Sequence, residues 1–188
     1  MLYLLLIAGL LYISTGCAPT PPDTPPVTTD TTAQYKNNIS TLYGNGGKNK
    51  GDTASNIIWK DSLGNLHSLE ELRGNIVLLN FWAMWCAPCE SEMPELRSIS
   101  ETMGPDVIVI AISVDQGDAV FERVKLFAET RNMHFQVVVD PGAKSYFNYG
   151  GDGTIPQTVA IDRDGIVVHK FIGAQTRQKF KDILDQIP

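Results

Sequence analysis

Short apolar runs dominate the hydrophobic pattern of this chain, and two of them predict buried strands, over residues 76–82 and 107–114. Residues 135–140 are a third strand candidate. Runs that are this short and this apolar are typical of strands in a sheet that is covered on both faces. Between the runs, apolar residues recur every three or four positions, which predicts amphipathic helices over 88–103 and 118–132.

Turn residues predict a β-hairpin near each end of this pattern. Residues 61–65 separate two short strands near its start, and residues 163–165 separate two near its end. A short helix over 143–149, a flexible loop over 150–153 and a closing helix over 176–187 complete it. This order predicts an α/β fold, a three-layer α/β/α sandwich with a mixed central sheet and an N-terminal hairpin.

One residue conflicts with the helical pattern. Pro94 lies inside the predicted helix 88–103, and a proline there lacks the N–H that continues the helix. We therefore expect the helix to kink or break at Pro94.

The N-terminal part of the chain predicts export rather than a folded core. The apolar run over 2–13 is too short for a bilayer span of ~20 residues but has the length of a signal-peptide core. Small residues and then Cys17 follow it, an order that resembles a bacterial lipoprotein signal. We predict a signal peptide over 1–16, a lipidated Cys17 with a Pro/Thr-rich tether over 17–50, and a folded domain over 51–188.

Two features depart from the usual lipoprotein signal. Ser14 stands where leucine is most usual, and no Lys or Arg precedes the apolar run. A plain signal peptide, or an uncleaved anchor with an incidental cysteine, is the alternative. Ala18, rather than an aspartate, follows Cys17, which resembles sorting to an outer membrane.

Charge and cysteine content narrow the functional classes. The formal net charge is -6 and the Lys and Arg residues are scattered, which argues against nucleic-acid binding because that needs a basic patch. The chain has three cysteines, so lipidation of Cys17 would leave Cys86 and Cys89 as a pair. In an exported protein, an isolated CxxC pair is more often redox-active than zinc-bound.

The pair Cys86-Ala87-Pro88-Cys89 lies where the first predicted strand ends and the next helix begins. The unpaired N–H groups and the partial positive charge of a helix N-terminus favour a thiolate over a thiol. We therefore predict that Cys86 is the reactive cysteine.

The string FWAMWCAPC over 81–89, with Thr154-Ile155-Pro156 far downstream, resembles the thioredoxin superfamily. With the later VVVD and TIPQTVAIDRDGIVV it is similar to the TlpA/ResA branch, and the resemblance covers residues 51–188. It implies a thioredoxin-like fold and a membrane-tethered, extracytoplasmic thiol–disulfide oxidoreductase. Several members of this branch serve cytochrome c maturation. The resemblance implies no cofactor beyond a redox-active Cys86–Cys89 disulfide.

The resemblance also implies roles for the residues around the pair. Cys86 is the attacking thiolate and Cys89 the resolving thiol, with two intervening residues to bring both sulfurs within disulfide reach. Pro156 resembles the family's cis-proline, which would present the Ile155 backbone to a substrate strand. An ordinary trans proline at a strand start is the alternative. The candidate substrate-binding residues are Trp85, Ala87, Pro88 and Ile155.

Two polar positions decide how a proton could be handled at this site. Typical thioredoxins carry a buried aspartate beneath the second cysteine, and Asn80 occupies that position here. Asparagine cannot accept a proton, so Glu92, which matches a glutamate typical of the ResA-like branch, is the candidate proton carrier. The alternative is that Glu92 is one more solvated helix carboxylate beside Glu90 and Glu95.

The predicted activity is the reduction of disulfides in exported proteins, with apocytochrome c among the substrates that the resemblance implies. Nothing in the chain resembles an NAD or flavin site, so a membrane dithiol carrier would supply the electrons. A DsbA-like disulfide oxidase is the nearest alternative, because the sequence does not set the reduction potential. A peroxiredoxin fits less well, since its reactive cysteine normally stands outside a CxxC motif. A non-enzymatic copper- or zinc-handling module would need Met84 or Met93 as a further ligand.

Overall fold

The computed structural model describes residues 37–43, 47–61 and 63–188, with the backbone alone for 37–43. The predicted signal peptide, Cys17 and most of the Pro/Thr-rich tether lie outside these residues. The described residues form the strands β1 (Asn37–Tyr43), β2 (Asn56–Lys60), β3 (Leu66–Ser68), β4 (Ile76–Trp82), β5 (Val107–Ser113), β6 (Gln136–Val139), β7 (Gln157–Ile161) and β8 (Val167–Ile172). They also form the helices α1 (Ala87–Thr102), α2 (Val120–Thr130), α3 (Lys144–Asn148) and α4 (Arg177–Leu184). None of the helices formed by these residues has the length and apolar character needed to cross a membrane.

One mixed sheet carries these strands in the order β3-β2-β1-β6-β5-β4-β7-β8. β4 pairs in parallel with β5, from Ile76 opposite Val107 to Trp82 opposite Ser113. β6 is parallel to β5 on its far side, while β7 runs antiparallel to β4. The predicted α/β class and the mixed central sheet are confirmed. The inner position of β4 fixes where its C-terminal end, and hence the cysteine pair, lies.

Side chains of β4 alternate between two hydrophobic cores, one on each face of the sheet. Leu78 and Trp82 join buried residues of α1, α2 and α4 in one core. Val77, Leu79 and Phe81 join residues of β2 and α3 in the other. All seven residues of β4 are buried, Asn80 included, which agrees with the predicted strand covered on both faces.

The sheet begins earlier in the chain than the sequence pattern predicts. The backbone of β1 pairs antiparallel with β2 and parallel with β6, although the sequence assigns residues 37–43 to the tether. Their sequence, NNISTLY, contains no run of apolar residues, so hydrophobicity alone does not distinguish it from a tether. The neighbouring strands supply the backbone hydrogen bonds that select the extended conformation. The folded part of the chain therefore begins before Gly51.

Helix α1 runs without interruption from Ala87 to Thr102, so of the kink or break expected at Pro94, the break does not occur. Proline cannot donate a hydrogen bond to the carbonyl of Glu90, four residues earlier. Met93 before the proline and Leu96 after it are nonetheless buried in the core. A proline inside a helix costs about 3 kcal/mol, and burial of two side chains of this size, at about 2 kcal/mol each, offsets that cost.

Candidate active site

The cysteine pair lies at the junction of the central strand and helix α1. β4 ends at Trp82, and Cys86 is the N-cap residue of α1, with extended backbone at φ -93° and ψ 96°. The backbone N–H of Cys89 donates to Cys86 Sγ across 3.2 Å. This contact and the positive end of the helix dipole both favour negative charge on Cys86 Sγ.

Cys86 and Cys89 form a disulfide, with 5.2 Å between their Cα atoms. Cys86 is 5% exposed, whereas Cys89 is fully buried. Trp85 beside the pair is 73% exposed, and Ala87 and Pro88 are exposed as well. An incoming sulfur can therefore reach Cys86 but not Cys89, and it meets these three residues on the way.

The segment before β7 closes the other side of Cys86. Its Ile155–Pro156 peptide bond is cis, the conformation that the resemblance implies. The carbonyl oxygen of Ile155 lies 3.7 Å from Cys86 Sγ. The carbonyl oxygen of Pro156 accepts from the backbone N–H of Gly173 across 2.8 Å. The antiparallel pairing of β7 with β4 thus brings residues that lie far apart in the sequence to one site.

Glu92 lies one helical turn after Cys89 and is 1% exposed. Its Oε2 accepts from Asn80 Nδ2 across 2.8 Å, and its Oε1 accepts from the backbone N–H of Gln175 across 2.8 Å. Asn80 Nδ2 also donates to Thr158 Oγ1 across 2.9 Å. The carboxyl group is thus enclosed by β4, β7 and the segment before α4. The alternative that Glu92 is a solvated surface carboxylate is wrong.

Burial raises the pKa of Glu92 to about 7, although the hydrogen bonds from the Gln175 N–H and Asn80 Nδ2 act in the opposite direction. Taking a carboxylate out of water costs more free energy than these two hydrogen bonds recover. A pKa near neutrality lets Glu92 take up or release a proton at physiological pH. Glu90, by contrast, reaches the surface, where its Oε1 lies 2.6 Å from Arg131 Nη2.

Asp115 supports the loop that leads to the cysteines, a role that the sequence pattern did not predict. Asp115 follows β5 and is 3% exposed. Its Oδ2 accepts from the backbone N–H of Met84 across 2.9 Å and from Ser113 Oγ across 2.8 Å. Parallel strands β4 and β5 end at the same edge of the sheet, where α/β proteins place their sites. The sequence does contain a signal for this role, since Asp115 is an acidic residue directly after the predicted strand 107–114.

The two tryptophans beside the pair have different surroundings. Trp82 is fully buried, and its ring centroid lies 5.4 Å from that of Phe127 on α2. Trp85 projects into solvent. Trp82 therefore belongs to the core, and Trp85 is the one that can meet a partner from solution.

Metal handling by Cys86 and Cys89 would require further ligands. Across the described residues, no group of three or more His, Cys, Asp or Glu side chains is arranged to hold a metal ion. Of the two methionines near the pair in the sequence, Met93 is buried in the core and Met84 is half-buried.

Comparisons with known proteins point to thiol–disulfide chemistry. Residues 50–170 match the AhpC/TSA family. The thiol-disulfide oxidoreductase ResA of Bacillus thuringiensis (strain Al Hakam) is 36% identical over 138 residues, which cover 73% of this chain and 78% of that protein. The crystal structure of a DsbF homologue from Corynebacterium diphtheriae has a TM-score of 0.59 at 27% identity and covers 65% of this chain and 78% of its own. A thiol:disulfide interchange protein from Bacteroides sp. has a TM-score of 0.64 at 22% identity, covers 75% of this chain and 91% of its own, and shows likeness of fold alone.

We predict that Glu92→Gln removes much of the pH dependence of stability of the disulfide form. The pKa of about 7 in the folded protein lies above the ordinary value of 4.5, so between these values the folded state keeps a proton that the unfolded state releases. This contribution is fully present below the unfolded pKa and is lost as the pH rises through the folded pKa, by on the order of 3 kcal/mol. Urea unfolding followed by circular dichroism between about pH 4 and 8 measures the difference.

The matched control is Glu122→Gln, which removes an exposed carboxylate on α2. It should keep the wild-type dependence of unfolding free energy on pH. A Glu92→Gln protein that loses stability with rising pH as steeply as the wild type would contradict the raised pKa.

Proposed function

The chain belongs to the AhpC/TSA family and is a thiol–disulfide oxidoreductase similar to ResA, and from that premise we propose that it reduces disulfides of exported proteins through a Cys86/Cys89 dithiol. One observation carries the proposal. Cys86, the less buried member of a disulfide pair, lies at a helix N-terminus and 3.7 Å from the carbonyl oxygen of Ile155. An accessible sulfur with a buried partner is the arrangement that thiol–disulfide exchange needs.

Reduction of a substrate begins from the dithiol form of the pair. The Cys86 thiolate attacks one sulfur of the substrate disulfide, a mixed disulfide forms, and the other substrate sulfur leaves as a thiolate. The Cys89 N–H and the positive end of α1 stabilise the attacking thiolate. Cys89 is fully buried, so the first attack falls to Cys86.

Cys89 completes the exchange. Its thiolate attacks Cys86 Sγ, which forms the intramolecular disulfide and releases the second substrate sulfur as a thiolate. Two electrons have then passed from the cysteine pair to the substrate. Burial disfavours the thiolate of Cys89, and Glu92, one turn away with a pKa of about 7, accepts the proton that Cys89 loses.

The substrate segment would lie between the exposed residues around Cys86 and residues 155–156, which we call the cis-proline segment. Trp85, Ala87 and Pro88 offer contact surface on one side. On the other side, the carbonyl oxygen of Ile155 would accept a backbone N–H from an extended substrate. Pairing of this kind recognises the backbone rather than one side chain, which suits an enzyme that acts on several proteins.

The oxidised pair must be reduced again in each cycle, and a membrane dithiol carrier is the proposed donor. Export by the signal peptide 1–16, a lipid on Cys17 and the Pro/Thr-rich tether would hold the domain at a membrane, outside the cytoplasm. Ala18 after Cys17 favours the outer membrane where one exists. Apocytochrome c is a candidate substrate because several similar proteins serve cytochrome c maturation.

The second candidate function is disulfide formation by a DsbA-like oxidase. The pair is a disulfide in this structure, and the same exchange steps in reverse would pass that disulfide to a substrate dithiol. The direction depends on the reduction potential of the pair relative to its partners.

We expect Cys89→Ser to hold a protein substrate as a stable mixed disulfide on Cys86, because serine cannot carry out the second attack. Insulin reduction with dithiothreitol should fall to the uncatalysed rate in this variant. Mass spectrometry under non-reducing conditions detects the adduct. The matched variant Cys86→Ser should trap little substrate, since Cys89 is fully buried. Equal trapping by both variants would contradict the assignment of Cys86 as the attacking residue.

Equilibration of the domain with glutathione buffers, followed by alkylation and mass spectrometry, tests the direction of the reaction. A reductant should have a reduction potential near the thioredoxin value of about -270 mV. A potential of about -120 mV, as in DsbA, would contradict the reductase and indicate an oxidase.

Metabolic labelling with palmitate tests the tether. Labelling of the full chain should be lost in Cys17→Ala and kept in Cys86→Ala, because only Cys17 follows the signal-like segment. Labelling that persists in Cys17→Ala would refute lipidation at this residue.

A further inference from the structure

Residues 150–154, which we call the glycine loop, connect α3 to the cis-proline segment. Three of these five residues are glycine, and Gly150 and Gly153 have positive φ angles of 75° and 103°. A segment of this composition loses much conformational freedom when it is ordered. Contacts with its surroundings must therefore set the position of the loop. Ile155 and Pro156 follow it directly, so their position depends on these contacts as well.

The hydroxyl group of Tyr146 on α3 makes two hydrogen bonds to the glycine loop. The backbone N–H of Gly153 donates to the hydroxyl oxygen across 2.7 Å. The hydroxyl group in turn donates to the carbonyl oxygen of Thr154 across 3.0 Å. One hydroxyl group thus forms hydrogen bonds with the two residues immediately before Ile155.

The ring of Tyr146 is itself held in place. It is 3% exposed, and its centroid lies 5.7 Å from that of Phe81 on β4, in an edge-on arrangement. A Cβ atom added to Gly151 would lie 2.2 Å from Cζ of the ring, so the glycine loop passes directly over Tyr146. The ring therefore links the loop to β4, the strand that leads to the cysteine pair.

We propose that Tyr146 is a positioning residue for protein substrates: its hydroxyl group holds Thr154, and through it the Ile155 backbone, where a substrate strand pairs beside Cys86. This inference rests on the proposed function. The hydroxyl group contacts the glycine loop and reaches Cys86 only through Ile155, whose carbonyl oxygen is 3.7 Å from Cys86 Sγ. Tyr146 therefore governs binding of a backbone rather than reactivity of the sulfur.

The proposal separates two kinds of substrate. A protein disulfide is held by pairing with the Ile155 backbone, so its binding depends on where the glycine loop lies. A small aromatic disulfide such as 5,5′-dithiobis(2-nitrobenzoate) has no peptide strand to pair. It reports the attack by Cys86 alone.

Tyr146→Phe tests this with a minimal change, because it removes the hydroxyl group and keeps the ring. We expect KM for insulin reduction to rise about 2- to 10-fold, the effect of losing the two hydrogen bonds that order the binding segment. The kcat for insulin should change much less. The rate at which the reduced protein reacts with 5,5′-dithiobis(2-nitrobenzoate) and the reduction potential in glutathione buffers should both stay at wild-type values.

Tyr149→Phe is the matched control. Tyr149 is buried like Tyr146, and its hydroxyl group donates to the carbonyl oxygen of Ser55 across 2.6 Å, not to a residue of the glycine loop. This variant loses a buried tyrosine hydrogen bond from the same part of the chain. It should lower the melting temperature and leave KM for insulin unchanged.

Gly151→Ala provides an independent test, since the added methyl group must displace the Tyr146 ring. It should raise KM for insulin in the same way as Tyr146→Phe and again spare the small disulfide. Circular dichroism and thermal melting establish that each variant is folded.

The outcomes distinguish this inference from the proposed function. A wild-type protein that reduces neither insulin nor the small disulfide would overturn both. An active wild type whose KM for insulin is unchanged in Tyr146→Phe and Gly151→Ala would overturn the positioning role alone. Equal losses with insulin and with the small disulfide would also overturn it, because they would indicate an effect on the sulfur.

Discussion

The parallel pairing of β4 with β5 is the constraint on which the rest of the site depends. Because the two strands run in register from Ile76 and Val107 to Trp82 and Ser113, their C-terminal ends meet at one edge of the sheet. The loop to the cysteines leaves from one end and Asp115 follows the other, so the Asp115 carboxylate can accept from that loop. Antiparallel β7 on the other side of β4 brings the cis-proline segment to the same edge. The cysteine loop, Asp115 and the cis-proline segment thus meet at one edge of the sheet, and short connections are enough to bring them there.

The polar groups that are buried beneath this edge of the sheet lower the stability of the fold. Within the described part of the chain, the buried Glu92 carboxyl group accepts two hydrogen bonds and Asn80 Oδ1 has no hydrogen-bond partner. A buried polar atom left unpaired costs about 1–3 kcal/mol. Local cost of this kind is typical of functional sites, where a polar group is kept for its chemistry rather than for stability. The two dense cores on either side of the sheet offset it.

The sequence predicted those parts of the molecule whose signals are local. Short apolar runs, turn residues and helical periodicity predicted the inner strands, the hairpins and the main helices. The CxxC motif at the end of the first strand predicted the reacting cysteines, and the family resemblance added the cis-proline. The backbone pairing of β1, the unbroken helix at Pro94 and the burial of Glu92 could not be read this way. Each depends on neighbours that arrive from distant parts of the chain. The roles of Asp115 and Tyr146 were not predicted for the same reason. Their side chains form hydrogen bonds with backbone groups, and sequence periodicity does not indicate such contacts.

The close approach of Gly151 to the Tyr146 ring also links two positions in evolution. With tyrosine at position 146, any side chain at 151 meets the ring at 2.2 Å. With a small residue at 146 the same space is open, and the glycine is no longer required on steric grounds. The two positions are therefore expected to change together among related sequences, so that a large residue appears at one of them only when the other is small.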